Sequence, residues 1–210
     1  MAGATGLVGR EVLAALLTDS RYSAVFALGR RTPGAQHRKL SCRTVDFAKL
    51  PALPPADDVY IALGTTIRVA GSQAAFRAVD LDAVLAFAGA ARAAGAKRLG
   101  VVSAMGADAH SSVFYNRIKG EMEDAVGRCG FETLVIARPS MLDGDRAALD
   151  QPMRLGERIG LALMGVFKPV IPANYRAINA RAVAQALVGA VLEGGAGRRL
   201  MLSGEMQVGG

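Results

Sequence analysis

Gly3-Ala4-Thr5-Gly6-Leu7-Val8-Gly9 stands almost at the start of the chain and decides how the rest is read. Glycines at every third position allow a tight turn free of Cβ clashes. Leu7, Val8, Val12, Leu13, Leu16 and Leu17 recur with helical spacing and predict a helix from Leu7 to Thr18. A glycine turn opening into a helix lets the backbone approach a pyrophosphate. The helix N-terminus adds amide donors and the positive end of its dipole. The spacing is not G-x-G-x-x-G, so the triplet gains its weight from a strand–turn–helix setting.

Downstream, apolar runs alternate with helical periodicity. Strands are expected at Ser23–Leu28, Leu40–Val45, Asp58–Leu63, Leu99–Ser103, Thr133–Ala137 and Arg199–Ser203. Helices are expected at Ser72–Ala94, Ser112–Gly127, Pro152–Val166 and Ala180–Glu193. That alternation predicts an α/β, doubly wound, mostly parallel sheet of the Rossmann type, covered on both faces. The chain reads as one domain, residues 1–210, with 139–175 as a small substrate-covering region. A dinucleotide fold places a buried strand directly before its first glycine. Only Met1-Ala2 stand there. The expectation is a first strand truncated in this sequence, its remainder lying upstream, unless another segment fills the slot.

The 210 residues are 51% hydrophobic, enough for a large core. The net charge of +7 comes from dispersed, arginine-rich positions without a basic block. No aromatic–basic alternation suggests base stacking, so no nucleic-acid partner is expected. A cleft for a phosphorylated cofactor would use part of the charge. No apolar run approaches the roughly 20 residues of a spanning helix, so no stable membrane insertion is expected. The apolar stretch Ile159–Lys168 reads as a buried helix or a homodimer interface. Cys42 and Cys129 lack metal spacing and read as reduced thiols; with no signal-peptide pattern, the expected location is cytoplasmic and no metal site is expected.

The end of the second strand selects the nucleotide. An acid there would take the ribose 2′-hydroxyl. This chain has Arg30 and Arg31, which can fork onto a 2′-phosphate, so NADP(H) is expected over NAD(H). Asp46-Phe47 follows the third strand, where the carboxylate could accept from an adenine amino group or cap a turn. Leu63-Gly64-Thr65-Thr66 ends the next strand, at the carboxyl edge where cofactors lie.

Ser103 ends a strand, and Tyr115 and Lys119, four apart, share one helix face. A nearby ammonium lowers a phenol pKa whose ordinary value is about 10, which suits acid–base work. A strand-terminal hydroxyl can bind a carbonyl oxygen or its alkoxide. The plainer readings are a serine capping a turn, an interfacial tyrosine and a surface lysine. The order glycine turn, Ser103, then Tyr115 and Lys119 favours a site.

These motifs resemble the atypical short-chain dehydrogenase/reductases. Ala62-Leu63-Gly64-Thr65-Thr66, Gly71-Ser72-Gln73-Ala74-Ala75-Phe76-Arg77, Ser103-Ala104-Met105-Gly106-Ala107-Asp108 and Phe114-Tyr115-Asn116-Arg117-Ile118-Lys119-Gly120-Glu121 are similar to the bacterial branch of the TIP30/CC3 (HIV Tat-interactive protein 2)-like oxidoreductases. Arg138-Pro139-Ser140 and Arg154-Leu155-Gly156-Glu157 extend the likeness. The resemblance implies a Rossmann protein that binds NADPH through Gly3, Ala4, Thr5, Gly6, Leu7, Val8, Arg30, Arg31, Asp46, Phe47, Leu63, Gly64, Thr65, Thr66, Tyr115, Lys119 and Pro139. It implies that Ser103 polarises the substrate and Tyr115 donates the proton. Lys119 then holds the nicotinamide ribose and tunes Tyr115. Extended members often carry an asparagine relay where this chain has Asp80.

The function expected is an NADP(H)-dependent oxidoreductase acting on a small-molecule carbonyl or the matching alcohol. The alternatives are an NADPH-sensing regulatory protein with little catalysis, and epimerase or dehydratase chemistry. Met141, Leu142, Leu161, Leu163, Met164, Val166, Phe167 and Ile171 would make the substrate pocket apolar, and Arg154 and Arg158 would face either a substrate anion or solvent.

Overall fold

Among the described residues, the apolar runs find the layers that their periodicity requires. The computed structural model describes residues 1–143 and 172–207. Helix α1 (Leu7–Thr18) leads to β1 (Val25–Gly29), β2 (Leu40–Thr44) and β3 (Asp58–Ile61). Then come α2 (Ile67–Ala70), α3 (Gln73–Arg77), a π-helical turn (Ala78–Asp82), α4 (Ala83–Ala93) and β4 (Arg98–Val102). Helix α5 (Phe114–Gly127), β5 (Thr133–Arg138) and β6 (Leu142–Asp143) follow. The chain closes with β7 (Ile178–Asn179), α6 (Ala180–Glu193), β8 (Gly197–Leu202) and α7 (Ser203–Gln207).

The strands of the main sheet run parallel, paired β1 with β2 and, separately, β3-β4-β5-β8. Ala2 joins the two parts by bridging Leu28 on one side and Ile61 on the other. The Ala2 N–H donates to the Tyr60 carbonyl at 2.9 Å, and the Ala62 N–H donates to the Ala2 carbonyl at 2.9 Å. The order is therefore β2-β1-Ala2-β3-β4-β5-β8. Met1-Ala2 hold the slot of the expected central strand as a two-residue stub, and no other described segment enters it. Beside the stub, between β1 and β3, lies a largely apolar cavity of about 60 Å³ lined by Met1, Phe26, Leu53, Val59 and Phe87 among others.

The sheet is covered on both faces. On one, Val12, Leu13 and Leu16 of α1 share a buried cluster with Val183, Leu187 and Val191 of α6. On the other, Phe87 of α4 packs with Ile118 and Met122 of α5. Strands β4 and β5, buried from both sides, read as continuous apolar runs for this reason.

The single helix expected over Ser72–Ala94 is divided. Ser72 caps α3 by accepting from the Ala75 N–H at 3.1 Å, and the π turn then inserts a wider coil before α4. An Ala-rich helical pattern contains no signal for that change; it brings Asp80 and Leu81 inward together. Helix α2, the two-strand pair β6–β7 and α7 are additional elements. The expected helix Pro152–Val166, the stretch Ile159–Lys168, Arg154, Arg158 and the pocket residues Leu161 to Ile171 lie outside the described residues.

Candidate nucleotide and catalytic site

The glycines of the opening turn do different work. Gly3 has φ +88°, and a Cβ on it would lie 2.3 Å from the Ala62 carbonyl oxygen. A Cβ on Gly9 would lie 1.9 Å from the Gly3 oxygen. These two let the turn close on α1 and on the chain leaving β3. Gly6 is the N-cap of α1, and its Cβ position meets nothing nearer than the Gly3 oxygen at 3.4 Å. Helix α1 has no side-chain cap and no acidic residue in its first turn. First-turn amides without a protein acceptor suit an anion, and the groups here fit a pyrophosphate.

The other expected contacts gather along the same carboxyl edge. Arg30 and Arg31 are exposed just past β1 and have no carboxylate partner among the described residues. Asp46 accepts from the Ala48 N–H at 2.9 Å and so caps a short turn, while Phe47 packs edge-on against Phe87. Thr66 caps α2 by accepting from the Val69 N–H at 3.2 Å. Pro139 is buried, and its carbonyl accepts from the Met105 N–H at 2.9 Å. Gly64 is exposed over a charged floor: a Cβ there would stand 3.5 Å from Asp80 Oδ1 and 3.9 Å from Lys119 Nζ.

Helix α5 supplies Tyr115 and Lys119, one turn apart. The Tyr115 ring sits 5.5 Å from that of Phe76. Lys119 is 4% exposed and places Nζ 2.7 Å from Asp80 Oδ1. The expected lowering of the phenol is reversed in sum. Burial raises the Tyr115 pKa most, Lys119 lowers it, and Asp80 raises it again, leaving it above the ordinary value. Near neutral pH Tyr115 therefore holds its proton, as an acid must.

Ser103 is placed differently from its expected role. It is buried, and its Oγ–H donates to Glu123 Oε1 at 2.6 Å. Glu123 also accepts from Arg138, Nε to Oε1 at 2.9 Å and Nη2 to Oε2 at 2.8 Å, and from Arg198 Nη2 at 2.8 Å. The Ser103 proton is committed inside this network rather than offered to the crevice. Neither Glu123 nor the Asp80–Lys119 pair emerges from sequence reasoning. Glu123 had one signal, its place four residues after Lys119 on the same helix face. Asp80 was marked by the resemblance as an acid where extended members carry a relay asparagine, but nothing in the sequence paired it with Lys119.

A parallel sheet with an uncapped glycine turn at its switch point, and a Tyr–Lys helix along the same edge, defines a dinucleotide-binding protein of the Rossmann class. The family model described as NAD(P)H-binding matches residues 3–159. The chain is 38% identical over 154 residues to "Protein fmp52, mitochondrial" of Emericella nidulans, covering 69% of this chain and 66% of that one. It is 33% identical over 207 residues to "Protein HTATIP2" of Rattus norvegicus, covering 95% and 83%. The chain belongs to this NAD(P)H-binding family. The match spans just under two thirds of the Emericella nidulans protein's length. Among solved structures, MoeE5 in complex with UDP-glucuronic acid and NAD matches with a TM-score of 0.71 at 17% identity, covering 95% of this chain and 73% of that one. A short-chain dehydrogenase/reductase superfamily protein from Agrobacterium tumefaciens with bound NAD matches with a TM-score of 0.66 at 19% identity, covering 96% and 76%. These likenesses show the fold.

Proposed function

We propose that this protein is an NADP(H)-dependent oxidoreductase that reduces a carbonyl, or oxidises the matching alcohol, on a small apolar molecule. The observation that carries the reading is Tyr115, a protonated phenol on the same helix face as Lys119, whose ammonium lies beside Gly64 in the glycine-lined crevice. Bound there, a reduced nicotinamide supplies the hydride. Tyr115 gives its proton to the substrate oxygen and regains one from solvent. Lys119 steadies the phenolate left behind. Ser103 joins as a second donor by turning its hydroxyl from Glu123. Arg30 and Arg31 take the 2′-phosphate, which favours NADP(H).

The test is Tyr115→Phe. Across aldehydes, ketones and quinones, turnover falls by at least about 10²-fold, with NADPH affinity kept. Wild-type turnover in this variant refutes the assignment. A second reading, an NADPH-responsive binding protein with little chemistry, is favoured by the Ser103–Glu123 bond. NADPH binding without its oxidation across that screen selects it. A location in the cytoplasm and a homodimer complete the proposal; gel filtration and fractionation of the expressing cell test them.

A further inference from the structure

We propose that Asp80 is a positioning residue that ties the loop after β3 to Lys119 and, by its own charge as well as through that ammonium, sets the proton affinity of Tyr115. The inference rests on the reading of Tyr115 as the acid. Asp80 is 0% exposed and sits at the centre of the five-residue π turn. Such turns interrupt α-helices frequently at functional sites. Here the buried group at its centre is a carboxylate. Its Oδ2 accepts the Thr65 N–H at 2.9 Å, and its Oδ1 stands 2.7 Å from Lys119 Nζ.

The Oδ1 contact is an ion pair without hydrogen-bond alignment, so that oxygen still has accepting capacity. It also lies directly under Gly64, where a missing side chain leaves the crevice floor open. One buried acid thus fixes both the backbone of the cofactor loop and the ammonium nearest the phenol. A neutral residue of the same shape could hold Thr65 but could not hold the ammonium by charge.

The charges bearing on Tyr115 are Lys119 on its own helix and Asp80 from the π turn. Arg77 of α3 is held by two carboxylates, with Nη1 2.6 Å from Glu121 and Nε 4.0 Å from Asp82. The carboxylate opposes ionisation of the phenol, and the ammonium favours it.

The experiment follows tyrosinate absorbance with pH, isolating Tyr115 by subtracting a Tyr115→Phe protein in each background. Asp80→Asn is expected to move the Tyr115 midpoint to lower pH, because the repelling carboxylate is gone and the ammonium is unshared. An unchanged or raised midpoint overturns the proposal. Should Asp80→Asn strand the buried ammonium and fail to fold, Lys119→Met is compared with Lys119→Met/Asp80→Asn, which strands no cation. The double variant must titrate at lower pH than the single; coincident curves overturn the proposal. Turnover is not read, so a wild type that binds cofactor and reduces nothing would sink the oxidoreductase reading alone.

Discussion

Two buried carboxylates flank Lys119, and they are built to opposite ends. Glu123, one turn further along α5, is closed on every side by Ser103, Arg138 and Arg198. It ties α5 to β5 and β8 and to the residue following β4. Asp80 holds one backbone amide and one ammonium, and one of its oxygens has no aligned donor. A fully satisfied buried acid rigidifies, whereas an incompletely satisfied one beside a crevice keeps an acceptor for a ligand. The contrast separates a closed network that holds shape from a carboxylate placed at the crevice with an acceptor to spare.

Glu123→Gln gives the largest expected effect. It removes the charge that two arginines share and costs about 3 kcal/mol, the low end for a broken buried pair because both arginines are partly exposed. Urea denaturation measures the loss, while the Tyr115 titration midpoint stays in place. A stable variant with a shifted phenol would invert the comparison.

Gly64→Ala comes next. Its Cβ meets Asp80 and Lys119 at ordinary contact distances, so the protein folds normally. The methyl group occupies the crevice floor, and NADPH affinity falls by about tenfold, or about 1.4 kcal/mol. Isothermal titration decides; unchanged affinity would move the cofactor away from that floor.

Arg30→Ala and Arg31→Ala each lower the NADPH-to-NADH affinity ratio by several-fold, since these exposed side chains lose charge-assisted bonds that water partly replaces. Paired binding isotherms read the ratio, and an unaltered ratio removes the arginines from the nucleotide.

The smallest effect is at high pH, at the opposite edge of the sheet. Tyr22 donates to Asp58 at 2.7 Å and lies 2.6 Å from the Tyr60 hydroxyl, and burial pushes both phenols up. A raised folded-state pKa means that the native protein holds these protons more tightly than the unfolded chain. Their contribution is full below the ordinary phenol value of about 10 and is lost as pH rises past it. Thermal melts between pH 8 and 11 should show a decline that Tyr22→Phe makes shallower.

Much of this was legible from residue order. Leu7–Thr18 and Ala180–Glu193 form helices at the expected bounds because their apolar spacing is strictly helical. Strands β4 and β5 were legible because double burial demands unbroken apolar runs. The Tyr115–Lys119 pair needed only helical periodicity to share a face. The π turn was not legible, since its cause is the packing of α3 and α4 around a buried acid rather than any local preference. Nor was the direction of the Tyr115 shift, which depends on how much of the ring the fold covers.

Local order alone determined a glycine turn feeding a helix, a parallel α/β sheet, and a phenol and an amine on one helix face. These follow from backbone sterics, from unbroken apolar runs and from the helical period of 3.6. Tertiary structure alone decided that Ser103 gives its proton to Glu123, that Asp80 claims Lys119, and that Tyr115 stays protonated. The first two outcomes come from electrostatics between groups brought together across the fold, 20 and 39 residues apart in the chain, and the third chiefly from burial of the ring. Such energies are set by distance and burial, and neither is written in the order of residues.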